Sequence, residues 1–289
     1  MKKIAIMTDT NSGISPLTAK EMGVAVLPMP FMIDGRTYYE NLDLTQEEFY
    51  IMLEGGAEIS TSQPSPEAIM NMWDELLREH DQIVHLPMSS GLSGSCQTAT
   101  MLSQEEKYEG RVFVVNNQRI SVTLRASIVD ALHLAKQGKD GSEIKEILEA
   151  DKFHATIYIM LDTLHYLKQG GRITPAAAAL GTLLRLKPVL TIQGEKLDAF
   201  AKARTTSQGK TMMISAVKAD IEKRFGGLSP DNFTVYVAYT KDTDAAAQLK
   251  REVEEAFGVR NVIMDPLSLS VSCHIGPGAL AVAAVKNLK

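Results

Sequence analysis

The chain has 289 residues, 45% hydrophobic and 22% charged, enough apolar material for a large core and for two domains. Its formal charge of −5, with no long basic run, excludes a protein built to bind nucleic acid. No apolar stretch approaches the roughly 18 residues needed to span a bilayer, and the one after Met1-Lys2-Lys3 stops at Asp9, too short for a signal-peptide core. The expectation is a cytoplasmic protein without integral membrane association. Its two cysteines, Cys96 and Cys273, are too few for a disulfide framework or a zinc site and read as reduced packing residues.

In chain order, residues 4–7 read as a strand running into the polar loop 8–12. Ser15-Pro16 caps a short helix that stops at Gly23, and residues 24–33 look extended, turning at Asp34-Gly35 into residues 36–39. Thr45 and Glu48 form a capping box for a helix ending at Gly55-Gly56. After the hydroxyl-rich residues 60–65, a helix over 66–80 carries Ile69, Met70, Trp73, Leu76 and Leu77 as a core stripe. Strands over 83–86 and 112–115 and helices over 97–102, 121–136 and 142–152 follow. This alternation predicts an α/β fold with a mainly parallel sheet between helices.

From about residue 153 the pattern changes. A buried strand over 154–161 leads to the glycine turn 167–175, then to a hairpin, 187–193 and 196–203, closed at Gly194-Glu195. Helices over 207–225 and 243–257, strands over 234–239 and 259–264, a polar loop over 268–278 and a small-residue helix over 279–285 complete the chain. Antiparallel pairing beside helices predicts a second, α+β domain, so the division is 1–152 and 153–289.

The chain is organised around residues 85–100, where a buried strand empties into Ser89, Ser90, Gly91, Leu92, Ser93, Gly94 and Ser95. The glycines allow a tight turn and close approach to a ligand, and the hydroxyls both donate and accept. A helix opening just after the loop favours an anion there; taken alone, the same residues also describe an ordinary capping turn. The hydroxyl-rich loops at 8–12, 60–65, 89–95 and 268–278 lie past strand ends or before helices, where an open α/β sheet gathers a ligand.

Gly91-Leu92-Ser93-Gly94-Ser95 resembles a nucleophile elbow, with His274 and Asp162 or Asp265 as triad candidates, but Ser95 stands where the strained turn needs its last glycine. Residues 207–211 resemble the end of a P-loop, whose first glycine would fall on Arg204. The scattered histidines show no metal-ligand spacing, and His85, His133 and His165 read as packed or surface residues.

Thr61-Ser62-Gln63-Pro64-Ser65, Ser89-Ser90-Gly91-Leu92-Ser93-Gly94, Tyr166-Leu167-Lys168-Gln169-Gly170-Gly171-Arg172-Ile173, Lys187-Pro188-Val189-Leu190 and His274-Ile275-Gly276-Pro277-Gly278 together resemble, in order, the motifs of the DegV family of bacterial fatty-acid-binding proteins, which includes binding subunits of the fatty acid kinase system. The resemblance implies two α/β domains clasping one long-chain fatty acid, carboxylate in the inter-domain cleft and tail in an apolar tunnel. It implies that Thr61 and Ser93 bind the carboxylate with His274 close by, that Ser62 and Gly94 support them, and that the protein is a carrier without cofactor or catalysis of its own, presenting its ligand to a separate ATP-using kinase subunit. Lys168, Arg172, Lys202 and Arg204 form either a partner-binding basic patch near the cleft mouth or a solvated face. The chain departs from the family pattern at Asn116-Asn117, Thr123 and Arg125, which bears on the tunnel wall and chain-length preference. The alternative from another class is a lipid esterase or thioesterase using Ser93 and His274, which labelling by a serine-directed fluorophosphonate distinguishes from a carrier.

Overall fold

The computed structural model describes residues 2–179, 186–193 and 195–288. Met1, and Gly194 of the expected hairpin turn, lie outside the described residues.

Four parallel strands, β1 (Ile4–Asp9), β2 (Val24–Leu27), β6 (Gln82–Leu86) and β7 (Val112–Val114), form a sheet in the order β2-β1-β6-β7. Both faces are covered, which explains why residues 82–86 are buried without a break. Ala5, Met7 and Ile83 face α3 (Pro66–Leu76) and α4 (Ser95–Leu102), whereas Ile6, Val84 and Leu86 belong to the core on the other side. That side holds α1 (Pro16–Met22), α5 (Ser121–Lys136) and α6 (Gly141–Ala150). The expected caps form: Ser15 and Ser65 accept from backbone amides three residues on, each followed by proline, and Thr45 and Glu48 close a capping box on α2 (Gln46–Glu54).

Residues 24–33 are not one extended segment. Pro28 separates β2 from β3 (Pro30–Ile33), which leaves the parallel sheet and pairs antiparallel with β4 (Arg36–Tyr39) and β5 (Ile59–Thr61) in a small second sheet. The helix expected over 66–80 is regular only to Leu76.

The third sheet runs β10-β9-β8-β13-β11-β12, from β8 (Ala155–Met160), β9 (Lys187–Ile192), β10 (Asp198–Ala203), β11 (Phe233–Tyr239), β12 (Ile263–Pro266) and β13 (Leu280–Lys286). Only β11 and β12 are parallel. One face carries Tyr158, Met160, Val235, Val237 and Val282 against α9 (Thr206–Arg224) and α10 (Thr243–Phe257); the other carries Ile157, Ile159, Ala238, Ala281 and Ala283. Shorter helices α7 (His165–Gly170), α8 (Pro175–Ala179) and α11 (Leu269–Ile275) flank the sheet.

Three further expectations are corrected. Residues 279–285 are strand, not helix: the alternation in Leu280-Ala281-Val282-Ala283 sends side chains to opposite faces of a sheet covered on both sides, so small residues there serve a strand. The loop expected over 268–278 contains α11, and the strand expected over 259–264 begins only at Ile263.

Helix α5 joins the two larger sheets. It packs on β1 and β6 on one side and on β8, β11 and β13 on the other, and a single apolar cluster runs through Ile6, Val84, Leu124, Ile128, Ile159 and Ala281. A smaller cluster, with Phe31, Phe49, Tyr50, Leu269 and Cys273, ties the small sheet to α11. Among the described residues no helix is long and apolar enough to cross a membrane.

Candidate functional site

A cavity of about 300 Å3 opens where the layers meet, at the lower end of the usual size for ligand pockets. Its wall is mostly apolar: Ile157, Ile159, Ala281 and Ala283 from the third sheet face Ile120 and Val122 at the start of α5, with Met29, Met88 and Leu167 beside them. The expected convergence of the polar loops occurs, since Asn11, Thr61, Ser93, Ser270 and His274 all line this one space.

Thr61 ends β5, in register with Phe31, and His274 stands on the last turn of α11, placing Thr61 Oγ1 2.8 Å from His274 Nε2. Helix α11 is fixed from several sides. Glu40 accepts from the Leu269 amide at its start, Ser268 donates to Asn11 Oδ1, and Tyr50 Oη lies 3.0 Å from Ser272 Oγ. Burial pushes the Glu40 carboxyl up to about 7. The other side of the His274 ring packs on backbone: a Cβ on Gly170 would come within 2.0 Å of Nδ1. Burial pulls His274 down to about 4, and the charge of Arg172 acts in the same direction, so the imidazole is neutral at pH 7.

Ser93 sits in the loop between β6 and α4. The Leu92 and Ser93 amides donate to the Ser89 carbonyl, and the Ser93 hydroxyl accepts from the Ser95 amide at the first turn of α4. Gly91 and Gly94 serve close packing and not an unusual backbone angle. A side chain on Gly91 would meet the backbone of Glu195 at 2.5 Å, and one on Gly94 would meet Gln63 Oε1 at 2.8 Å. The loop is thus closed over by residues of the hairpin and of the 60–64 loop. Ser62 and Gly94 also line the cavity.

Of the four cations expected at the cleft mouth, only Arg172 lines the cavity; Lys168, Lys202 and Arg204 are exposed. Arg172 is half-buried, and its guanidinium donates to the carbonyls of Leu92, at 3.3 Å, and Gly170. It has no carboxylate partner among the ion pairs of the described residues. A guanidinium held by backbone oxygens in an apolar wall keeps its charge available to an anion from outside. Sequence reasoning placed it with the solvent-side cations; the signal available was its position just after the αL glycine that ends α7.

The triad considered from sequence does not assemble. His274 meets Thr61 and not Ser93, Asp162 pairs with Lys187, and Asp265 pairs with Arg125 at 2.5 Å. That last ion pair holds Arg125 away from the cavity wall, and Asn116, Asn117 and Thr123 do not line it either; the wall here is Ile120, Ser121 and Val122. The P-loop-like residues 207–211 form the first turn of α9, where buried Lys210 pairs with Glu252 and Gly209 packs on Met160. Among the described residues no three His, Cys, Asp or Glu side chains gather as metal ligands.

The model of the family described as "Uncharacterised protein, DegV family" matches residues 3–287. The chain belongs to the DegV family. A DegV domain-containing protein of Clostridium perfringens is 30% identical over 295 residues, covering 100% of this chain and 99% of that protein. One from Staphylococcus aureus (strain N315) is 29% identical, covering 99% and 100% respectively. Among solved structures, "Fatty Acid Binding of a DegV family Protein from Thermus thermophilus" superposes with a TM-score of 0.89 at 31% identity, covering 99% of this chain and 100% of that one. A DegV family protein from Streptococcus agalactiae shares the fold, with a TM-score of 0.87 at 24% identity over the whole of both chains.

Proposed function

We propose that this DegV family member binds one long-chain fatty acid between its two units, 1–152 and 153–289, with the tail in the apolar cavity and the carboxylate among Thr61, Ser93, His274 and Arg172. The observation that carries this reading is Arg172, a cation without an acidic partner among the described residues, in the mostly apolar wall of the cavity. The fatty-acid binding named for the Thermus thermophilus relative supports it.

In the tautomer that carries its hydrogen on Nε2, neutral His274 donates to Thr61 Oγ1, 2.8 Å away, which leaves the threonine hydroxyl hydrogen for the carboxylate; Ser93 supplies a second hydroxyl, and Ser62 and Gly94 close the site around it. The start of α4 adds its dipole. About 0.8 kcal/mol per methylene gives roughly 12 kcal/mol gross for a 16-carbon tail, and the cost of association removes a large part. The tail therefore dominates affinity, and the head-group cluster sets orientation.

With no assembled triad, the chain acts as a cytoplasmic carrier and presents the carboxylate to a separate ATP-using kinase subunit, which forms the acyl phosphate. The test is native and then denaturing mass spectrometry of the purified protein. The expected result is a non-covalent fatty acid near one per chain, reduced in Arg172→Ala and Ser93→Ala. No lipid in the native spectrum, and none taken up from added oleate or palmitate, overturns the reading. Covalent labelling of Ser93 by a fluorophosphonate overturns the carrier role.

A further inference from the structure

The cavity wall contains a second polar region that the carboxylate site does not use. Helix α5, 16 residues long, begins at Ser121 inside the protein, where Ser121, Val122 and Thr123 are 6%, 1% and 1% exposed. A helix start leaves its first amides without intrahelical partners, and a buried start normally has a capping side chain or water to satisfy them. Here the residue before the helix is Ile120, which has no acceptor, and the Thr123 hydroxyl turns back to the backbone of Ile120 itself. Among the described residues no acceptor meets the amides of Ser121, Val122 or Thr123, and the buried Oγ of Ser121 has no partner.

A second side chain supports this. Asn11 is 2% exposed, lines the same cavity and lies in the 10–12 turn that packs on α5. Its Oδ1 accepts from Ser268 and Ser270, but among the described residues its amide nitrogen has only the Met88 thioether as acceptor, at 2.7 Å. Thioether sulfur is a weak acceptor, so a strong donor is left underused in a dry place.

We propose that the buried start of α5 is a second oxygen-binding subsite, formed by the Ser121 hydroxyl, the Ser121 and Val122 amides and the Asn11 side-chain amide, and that it receives a hydroxyl carried on the acyl chain. This rests on the fatty-acid reading and narrows it to hydroxylated fatty acids. A hydroxyl fits because it accepts from amides and donates to Ser121 Oγ at once, whereas a second carboxylate here would be buried without a cation. The subsite is set back from the head group. Ser270, bonded to Asn11, precedes His274 by one turn of α11, a rise of about 6 Å, so the hydroxyl belongs several carbons down the chain.

The test is titration of the delipidated full-length protein with stearic acid and with monohydroxystearic acids that differ in hydroxyl position. One isomer, or a narrow range of positions, binds about threefold to tenfold more tightly than stearic acid, and the ratio falls to about one in both Ser121→Ala and Ser121→Gly. The glycine variant keeps the test sound if alanine disturbs folding, because Ser121 has φ of 53°, which glycine adopts without strain. If no isomer binds better than stearic acid, as when the subsite holds a resident water, or if both variants keep the preference, the proposal is overturned. If stearic acid itself does not bind, the fatty-acid reading falls, and this ligand assignment with it.

Discussion

Thr61 Oγ1 and His274 Nε2 meet at 2.8 Å across 213 positions of the chain, one on the small three-stranded sheet and the other on α11. The two side chains form one donor unit, so their replacements do not add. Thr61→Val and His274→Ala each weaken palmitate binding by about tenfold, the scale of a hydrogen bond to a charged group. The double variant is little worse than either single one, and a double-mutant cycle by isothermal titration measures the coupling.

Gly170 positions this unit. Its backbone touches His274 Nδ1 and its carbonyl holds Arg172, so one added methyl disturbs both. Gly170→Ala lowers affinity for palmitate by about tenfold or more. Affinity for hexadecanol, which has the same tail and no charge, changes little. Equal losses for acid and alcohol show instead that the variant damages the cavity as a whole.

The pH dependence of stability has an identifiable source in β6. His85 is 2% exposed, edge-on to Trp73 at 5.8 Å, and neither ring nitrogen has a hydrogen-bond partner among the described residues; burial pulls it from 6.5 to about 3. The unfolded chain takes up a proton below 6.5 that the folded chain refuses until about 3. Stability is therefore fully present above 6.5 and falls as pH drops through that window, by about 1.4 kcal/mol per pH unit at most. His85→Leu removes this contribution. On going from pH 7 to pH 5, urea unfolding shows a change in stability that is more favourable in the variant than in the parent, and the difference between the two isolates His85 from Asp9 and Glu40, which burial pushes up to about 6 and about 7 and which act oppositely.

Arg119 and Asp151 form a buried ion pair at 2.7 Å, with side chains 2% and 9% exposed, linking the segment before α5 to the end of α6. Removing one partner strands a charge. Asp151→Ala costs about 3–5 kcal/mol, read as a lower urea midpoint with an unchanged slope.

Legibility in the sequence followed the reach of each signal. Strands β1 and β6 and the caps at Ser15, Thr45 and Ser65 were readable because short-range pattern decides them. Strand β13 was not, since its alanines signal helix unless one knows that β8 and β11 flank it and that helices cover both faces. Thr61, Ser93 and His274 were found through motif resemblance, and the structure places all three on one cavity. That Arg172 lines the cavity, apart from Lys168, Lys202 and Arg204, is not legible, because the hold on its guanidinium depends on Leu92, 80 positions away.

Sharing α5 between two sheets has a consequence for any attempt to divide the protein. A fragment ending at residue 152 would keep the helix but bare the flank that Ile159 and Ala281 cover, and the complementary fragment would bare those residues in turn. Each half alone is therefore expected to expose apolar surface that the other covers. The entire chain is then expected to melt in one cooperative step, and a ligand seated in the cavity, as proposed, would shift that one step and not the melting of either half alone.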